Sequence, residues 1–295
     1  MQRQYFSKYN LNILFLIGYI AAFGLLFHDA LAKLVQDWAT DDNYSHGFLI
    51  VPISLYLAWE RRDRLLHAPS NPSSFGLLVL VGGIALLVAG VLGAELFVTR
   101  IALLAVLGGS ILYIFGWTHL RLLAFPLALL LLMIPIPAII FNQVAFPLQL
   151  LASRFAAGVL SLWGIPVLRE GNVIMLAHTT LEVAEACSGI RSLMSLVTLG
   201  ILLGYFTESR SWVRWTLAVA TIPTAIFANG LRVAGTGVLA HYWGPEAAEG
   251  FFHTFSGWLV FGFAFGMVLL IQWLIRVVAP SPNRVAKPQR STPEC

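Results

Sequence analysis

Charge is what this sequence has least of. Of its 295 residues only 11% are charged, where an ordinary soluble domain carries about 25%. A surface so poor in charge cannot be kept wet, which excludes a water-soluble globule, and with it disorder and a coiled coil. Cysteine is scarce as well. Cys187 and Cys295 are the two present, and a pair split between an apolar run and the final residue excludes a disulfide scaffold. The alternation of apolar and polar residues that marks a membrane β-barrel is missing. The seven histidines follow no metal-ligand spacing, so a zinc site is not expected. No internal repeat is evident, which weighs against a secondary transporter.

What the chain does have is apolar length. Hydrophobic residues make up 58%, the mean hydropathy is +0.81, and the apolar runs are unbroken. Only helices and closed barrels satisfy their backbone groups in lipid, so the fold class is an all-α polytopic membrane protein. No small-residue cleavage site follows Ile20, so the first apolar run reads as an uncleaved span.

A span needs roughly 20 apolar residues, and about eight are predicted: 11–27, 47–59, 75–94, 101–117, 122–141, 188–206, 212–240 and 254–278. The second is short. The seventh is long and carries Pro223, Asn229 and Gly230, the last two expected to break the helix. A ninth apolar stretch, 141–163, is interrupted by Asn142, Gln143, Gln149, Ser153 and Arg154, which predicts an interfacial or re-entrant helix. With the N-terminus inside, Arg3, Lys8, Arg61, Arg62, Arg64, Arg121, Arg210, Arg214, Arg276 and the basic tail are all cytoplasmic. These are most of the 18 Lys and Arg residues, and the positive-inside rule therefore predicts N-in and C-in. A full span at 141–163 would invert everything after it.

Two segments fall on the outer side. Residues 29–45, with Asp29, Asp37, Asp41 and Asp42, read as an acidic soluble piece. Residues 165–183 place a turn at Glu170, Gly171 and Asn172 between β-favouring runs, which predicts a small extracytoplasmic hairpin. The expected organisation is one transmembrane domain, 1–279, and a disordered, basic cytoplasmic tail, 280–295.

Ionisable groups at membrane depth are costly and are functional candidates by default. Residues 185–192 read Glu-Ala-Cys-Ser-Gly-Ile-Arg-Ser. Cys187 falls at the outer end of the sixth span, where a helix N-terminus or a nearby cation favours the thiolate. Arg191, one turn further on, can supply that cation or pair with Glu185 or Glu182. The plainer reading is a small packing residue, as free cysteines often are. Arg232, in Ala-Asn-Gly-Leu-Arg-Val, needs an anion or carbonyl partner. Snorkelling to the headgroups is the alternative, and Asn229 and Gly230 beside it favour a binding site. His253 opens the last span among aromatics, where an ordinary interfacial histidine would also sit.

Together the three say more than singly. On the N-in topology Cys187, Arg232 and His253 all reach the outer face. Thiol, guanidinium and imidazole form an acyl-transfer set: a nucleophile, a partner for the oxyanion, and a proton carrier. His46, in Asn-Tyr-Ser-His-Gly-Phe, reads as a loop anchor ahead of a second base. Residues 133–137, Met-Ile-Pro-Ile-Pro, read as the end of the fifth span. Cys295 matches no prenylation pattern.

At residues 185–191, 229–232 and 253–258 the sequence resembles the exosortase/archaeosortase family of membrane transpeptidases. The likeness extends to Tyr44, Ser45, His46, Gly47 and Phe48, to Pro52, and to the eight-span layout. It implies Cys187 as the catalytic cysteine, with Arg232 and His253 as its partners. The archaeal branch typically carries arginine at the third position, so His253 resembles the bacterial side. Glu185, Arg191, Asn229 and His46 are then supporting or substrate-binding residues. The implied substrates are exported proteins with a C-terminal sorting signal, namely a Pro-Glu-Pro-like motif, a transmembrane helix and a basic tail. Cleavage near the motif would pass the acyl group, by way of a thioester, to a lipid or glycan acceptor of the cell envelope. The family is often associated with exopolysaccharide production. Its implied setting is the bacterial inner membrane with the site facing the periplasm. No metal, organic cofactor or nucleic-acid partner is expected. Two other classes stay open at this point: a transporter or channel for a cell-surface polymer, and a non-catalytic scaffold for envelope assembly.

Overall fold

The computed structural model describes residues 2–177, 179–183, 190–244, 246 and 251–279, with side chains for all of these except 2–13, 190 and 251–256. The chain divides into two compact units, Met1–Ile140 and Phe141–Cys295.

In the first unit, helix α1 (Gln2–Leu26) is followed at once by α2 (His28–Thr40), the two bent by 69°. The acidic stretch expected to be a soluble piece is therefore largely helical. Ala30, Leu34 and Trp38, spaced by four, give α2 a buried face; Asp29 lies off that face, Asp37 borders it seven residues from Ala30, and Asp41 and Asp42 follow the helix end. Then come α3 (Gly47–Glu60), α4 (Arg62–His67), α5 (Ser74–Leu92), α6 (Leu96–Phe115) and α7 (Trp117–Leu129), the last tightening into a 3₁₀ turn, Leu130–Met133.

The α5–α6 pair is built on a glycine stripe with a period of seven. A Cβ at Gly76 would stand 2.2 Å from the Tyr113 nitrogen, one at Gly83 2.8 Å from Val106 Cγ2, and one at Gly90 2.8 Å from Thr99 Cγ2. A seven-residue period keeps one seam facing the partner helix. Lipid offers no hydrophobic drive for helix pairing, so close backbone approach at small residues supplies the packing.

The fifth predicted span stops earlier than expected. The helix ends at Met133 rather than Phe141, because Pro135 and Pro137 have no N–H with which to continue it. The carbonyls left over are taken by side chains of the first unit. Arg61 donates to Leu122 O, the acceptor that Pro126 cannot serve. Trp38 Nε1 donates to Met133 O at 2.9 Å, the acceptor that Pro137 cannot serve, while Ser54 Oγ adds a second donor, at 2.8 Å, to Pro126 O, which already accepts from Leu130 N.

Helix α8 (Ala138–Leu162) opens the remainder of the chain, followed by β1 (Val167–Glu170), β2 (Val173–Leu176), β3 (Thr180–Glu182), α9 (Ile190–Thr207), α10 (Ser211–Trp243) and α11 (Phe251–Val278). The expected hairpin is present, with a third strand added, antiparallel in the order β1-β2-β3. Glu170 pairs with Val173 across a two-residue loop. Gly171, first in that loop, has φ of 63°, which a type II′ connection requires of glycine. Helix α10 runs unbroken through Pro223, Asn229 and Gly230, so the expected break is absent. Gly230 serves packing instead: a Cβ there would stand 2.6 Å from Cδ1 of Phe155 on α8.

Among the described residues five helices are long and apolar enough to cross a membrane: α5, α6, α8, α10 and the 257–278 part of α11. The bent α1–α2 pair is a sixth candidate, while α3, α7 with its 3₁₀ turn, and α9 are apolar but shorter. The 25-residue α8 meets the length and hydropathy of a span, and its polar residues do not mark one exposed face. Gln149 and Ser153 are buried while Arg154 is exposed. Its sequence therefore does not by itself single it out as a surface helix.

Candidate functional site

Cys187 and Glu185 lie outside the described residues, but the chain on both sides of them is well anchored. Upstream, Val183 is buried beneath the sheet, and Asn172 holds its backbone twice. Val183 N donates to Asn172 O at 2.9 Å, and Asn172 Nδ2 donates to Val183 O at 3.2 Å. Val183 and Ile174 share one hydrophobic cluster with Ala152, Ala156 and Leu160 of α8 and with Val233 and Ala234 of α10. Ser153 Oγ ties α8 to the hairpin turn by donating to Gly171 O at 2.9 Å. Downstream, α9 begins at Ile190, and Arg191 in its first turn is exposed.

Arg232 is half-buried on α10, one residue before Val233. Its level in the bundle follows from two glycines of α9. Gly200 faces Thr221 and Leu217, and Gly204 faces Arg214, so α9 and α10 run antiparallel. Carried about two turns along, this register sets Asn229 at the level of the first turn of α9. Asn229 itself is 3% exposed. Its neighbour Gly230 receives Phe155, whose ring also meets Phe227 edge-on at 5.4 Å. Gly237, one heptad later, faces Leu160 in the same way. Helix α8 thus runs alongside α10 in the same direction and carries the hairpin past Arg232.

The backbone of His253 lies in the first turn of α11, and its side chain is outside the described residues. Helices α9, α10 and α11 enclose a common core of Leu196, Val213, Leu217, Ala225, Ala228, Ala264 and Val268. The seven-residue connection from α10 to α11 puts the start of α11 at the same end of this bundle as the start of α9. His253 stands four positions before Gly257, the start of the apolar stretch 257–278.

His46 belongs to the first unit. Its Nε2 lies 3.2 Å from Leu132 O, so that nitrogen carries the hydrogen and the ring caps the broken end of α7. Burial holds its pKa below the usual histidine value, opposed by the carbonyls of Leu132 and Asn43. Tyr44 joins the same cap, its Oη accepting from Ile136 N at 3.1 Å. Gly47 leaves room for the indole of Trp38, whose Nε1 would lie 2.3 Å from a Cβ at that position.

Two polar clusters escaped the sequence reading. Arg100 is inside α6, 3% exposed, with Nη2 2.5 Å from Asp37 Oδ2. No periodicity couples residues 63 apart, so the sequence carried no signal for this pair. At the other end of the second unit, buried Glu208 accepts from Gln272 Nε2 at 2.9 Å and from Arg276 Nε at 2.7 Å. Among the described residues no three His, Cys, Asp or Glu side chains cluster as metal ligands would.

Residues 38–270 match the family model described as transmembrane exosortase. The match covers more than half of the chain, from Trp38 in α2 to Leu270 in α11. The chain belongs to the transmembrane exosortase family. No curated protein and no solved structure matches it. The exosortase match takes in the α7 cap, the hairpin and all three motif segments, so both units of this exosortase contribute to the matched region. As an exosortase, the chain is a multi-helix membrane protein connected with protein sorting.

Proposed function

We propose that this exosortase is a cysteine transpeptidase that cleaves the C-terminal sorting signal of exported proteins and transfers them to a cell-envelope acceptor. The observation that carries the reading is the cluster joining Val183 to Val233. Cys187 is four residues beyond Val183, at most about 14 Å of extended chain, and Arg232 adjoins Val233. A thiol and a guanidinium tethered so closely are suited to one carbonyl.

The Cys187 thiolate attacks the carbonyl carbon of the scissile peptide, forming the C–S bond and moving the π electrons onto oxygen. Arg232 neutralises that oxyanion. The C–N bond then breaks, and the departing amine takes its proton from His253. The resulting thioester is attacked by an amine or hydroxyl of the acceptor. His253 takes the acceptor's proton, and Cys187 leaves as the thiolate. Glu185, Arg191 and Asn229 support the site, while His46 acts as an anchor in the α7 cap. The substrates are proteins ending in a Pro-Glu-Pro-like motif, a transmembrane helix and a basic tail.

The proposed topology has eight spans with both ends cytoplasmic and the site facing the periplasm. It counts α8 as an interfacial or re-entrant helix rather than a ninth span, and residues 1–279 as one functional domain followed by a cytoplasmic tail. Arg210, Arg214 and Arg276 support it, because they gather at the end of the α9–α11 bundle away from Arg232. Reporter fusions after residues 164 and 209 test it, with periplasmic activity expected only from the first.

The decisive experiment is co-expression with a tagged protein that carries such a signal. Wild-type enzyme should shorten the tagged protein, and Cys187→Ala should leave it full length while still inserting in the membrane. Unchanged processing by Cys187→Ala would overturn the reading.

A further inference from the structure

We propose that the recognition segment of the substrate is seated by strand addition on the free edge of β3. The proposal rests on the transpeptidase reading and names how that enzyme holds its substrate. Among the described residues β3 has a neighbour on one side only, since the strand order is β1-β2-β3. The direction of its backbone groups can be read from the ladder. Val183 N donates to Asn172 O and Leu176 N to Thr179 O, and Ile174 stands opposite Leu181 between them. Hydrogen-bonded pairs alternate along an antiparallel ladder. Asn172–Val183, Ile174–Leu181 and Leu176–Thr179 are therefore the bonded pairs. The N–H and C=O groups of Thr180 and Glu182 point away from β2, toward the open edge.

Both of those residues are exposed, while Leu181 between them packs against the core beneath the sheet. The edge is short, which limits unwanted pairing between chains, yet it offers four backbone groups to a guest strand. It also lies where a guest would be useful. The same strand continues through Val183, and Cys187 is five residues beyond Glu182. A peptide paired along Thr180–Glu182 is thereby brought alongside the segment that carries the nucleophile.

A proline-flanked motif suits this edge from one side only. Proline has no N–H, while the glutamate between two prolines presents its N–H and C=O in one direction. Such a strand can dock on an edge but cannot be extended further.

The test reads binding without turnover. The full chain carrying Cys187→Ala is placed in lipid nanodiscs. The probe is a synthetic peptide with a Pro-Glu-Pro segment, an apolar helix and a basic tail. Thr180→Pro removes one outward N–H and is expected to raise Kd about three- to tenfold, the effect of one ladder hydrogen bond. Arg169→Pro removes an outward N–H from β1, on the opposite edge, and should leave Kd within about twofold. N-methylation at successive non-proline positions of the peptide should weaken binding at alternate positions, leaving the enzyme untouched. Equal losses in the two proline variants, wild-type affinity in Thr180→Pro, or N-methyl effects without alternation would each overturn the proposal. Failure of the transpeptidase reading shows separately, as processing that survives Cys187→Ala in the otherwise native enzyme.

Discussion

Val183 and Val233 are buried in one cluster, the first four residues before Cys187 and the second immediately after Arg232. Two segments 50 residues apart in sequence are thus joined by packing, with the small sheet as the joint. Asn172 closes that joint through its main chain and its side chain together. Asn172→Ala leaves the Val183 carbonyl without its side-chain donor, at a cost of about 1 kcal/mol. Substrate processing is expected to fall several-fold while the unfolding temperature in nanodiscs drops by only about 2–4 °C. A drop in unfolding temperature without loss of processing would count against the joint.

Arg232→Lys keeps the charge but loses the planar fork. If Arg232 meets the oxyanion, the rate of processing should fall about 10²-fold. Alkylation of Cys187 by a small thiol reagent should proceed at close to the wild-type rate. A matching loss of both would mean that the substitution had disturbed the fold rather than the chemistry.

Gly230→Ala forces a Cβ against the ring of Phe155, which also meets Phe227 one turn earlier on α10. The expected destabilisation is about 1–3 kcal/mol, read as a lower unfolding temperature. Phe155→Leu in the same chain should recover part of it. Failure of that rescue would show that Gly230 matters for another reason.

Asp37 and Arg100 invite a double-mutant cycle. Arg100 is 3% exposed and Asp37 23%, and Lys33 lies 3.9 Å from Asp37. Asp37→Asn strands a buried guanidinium and should cost about 3–5 kcal/mol. Arg100→Met should cost less, because Asp37 keeps Lys33 and partial access to water. Asp37→Asn combined with Arg100→Met should lie closer to wild type than Asp37→Asn alone. Thermal unfolding of the four proteins measures the coupling.

Burial lowers the pKa of His46 in the folded protein. The unfolded chain then binds the extra proton first as pH falls through about 6.5, so the stability contributed by the neutral ring is lost over the window below that value. The unfolding temperature of the wild type should fall on acidification from about pH 7 to 5. His46→Gln should show a shallower slope. Equal slopes would mean that another group titrates in this window.

Apolar run length made most of the helices legible, because a helix in lipid must be apolar along its whole extent. The motif residues were legible for the complementary reason: Arg232 and Asn229 stand out in such a background. What could not be read were features set by pairing between elements. The α2 helix was hidden because its aspartates resemble a loop unless Ala30, Leu34 and Trp38 are known to be buried together. Gly230 looked like a helix breaker because its partner, Phe155, lies 75 residues away.

Composition alone determined that this chain is a helical membrane protein, since so few charges leave no other solvent for it. The local motifs determined which side chains are worth suspecting. Only the tertiary structure decided that the α7 carbonyls orphaned by proline are capped by Trp38 and His46. It alone decided that Arg100 lies inside against Asp37, and that the sheet draws Val183 onto α10 beside Arg232. Those outcomes depend on which surfaces meet, and lipid, being as apolar as the helices themselves, leaves that choice to glycine seams, unpaired backbone groups and buried charge.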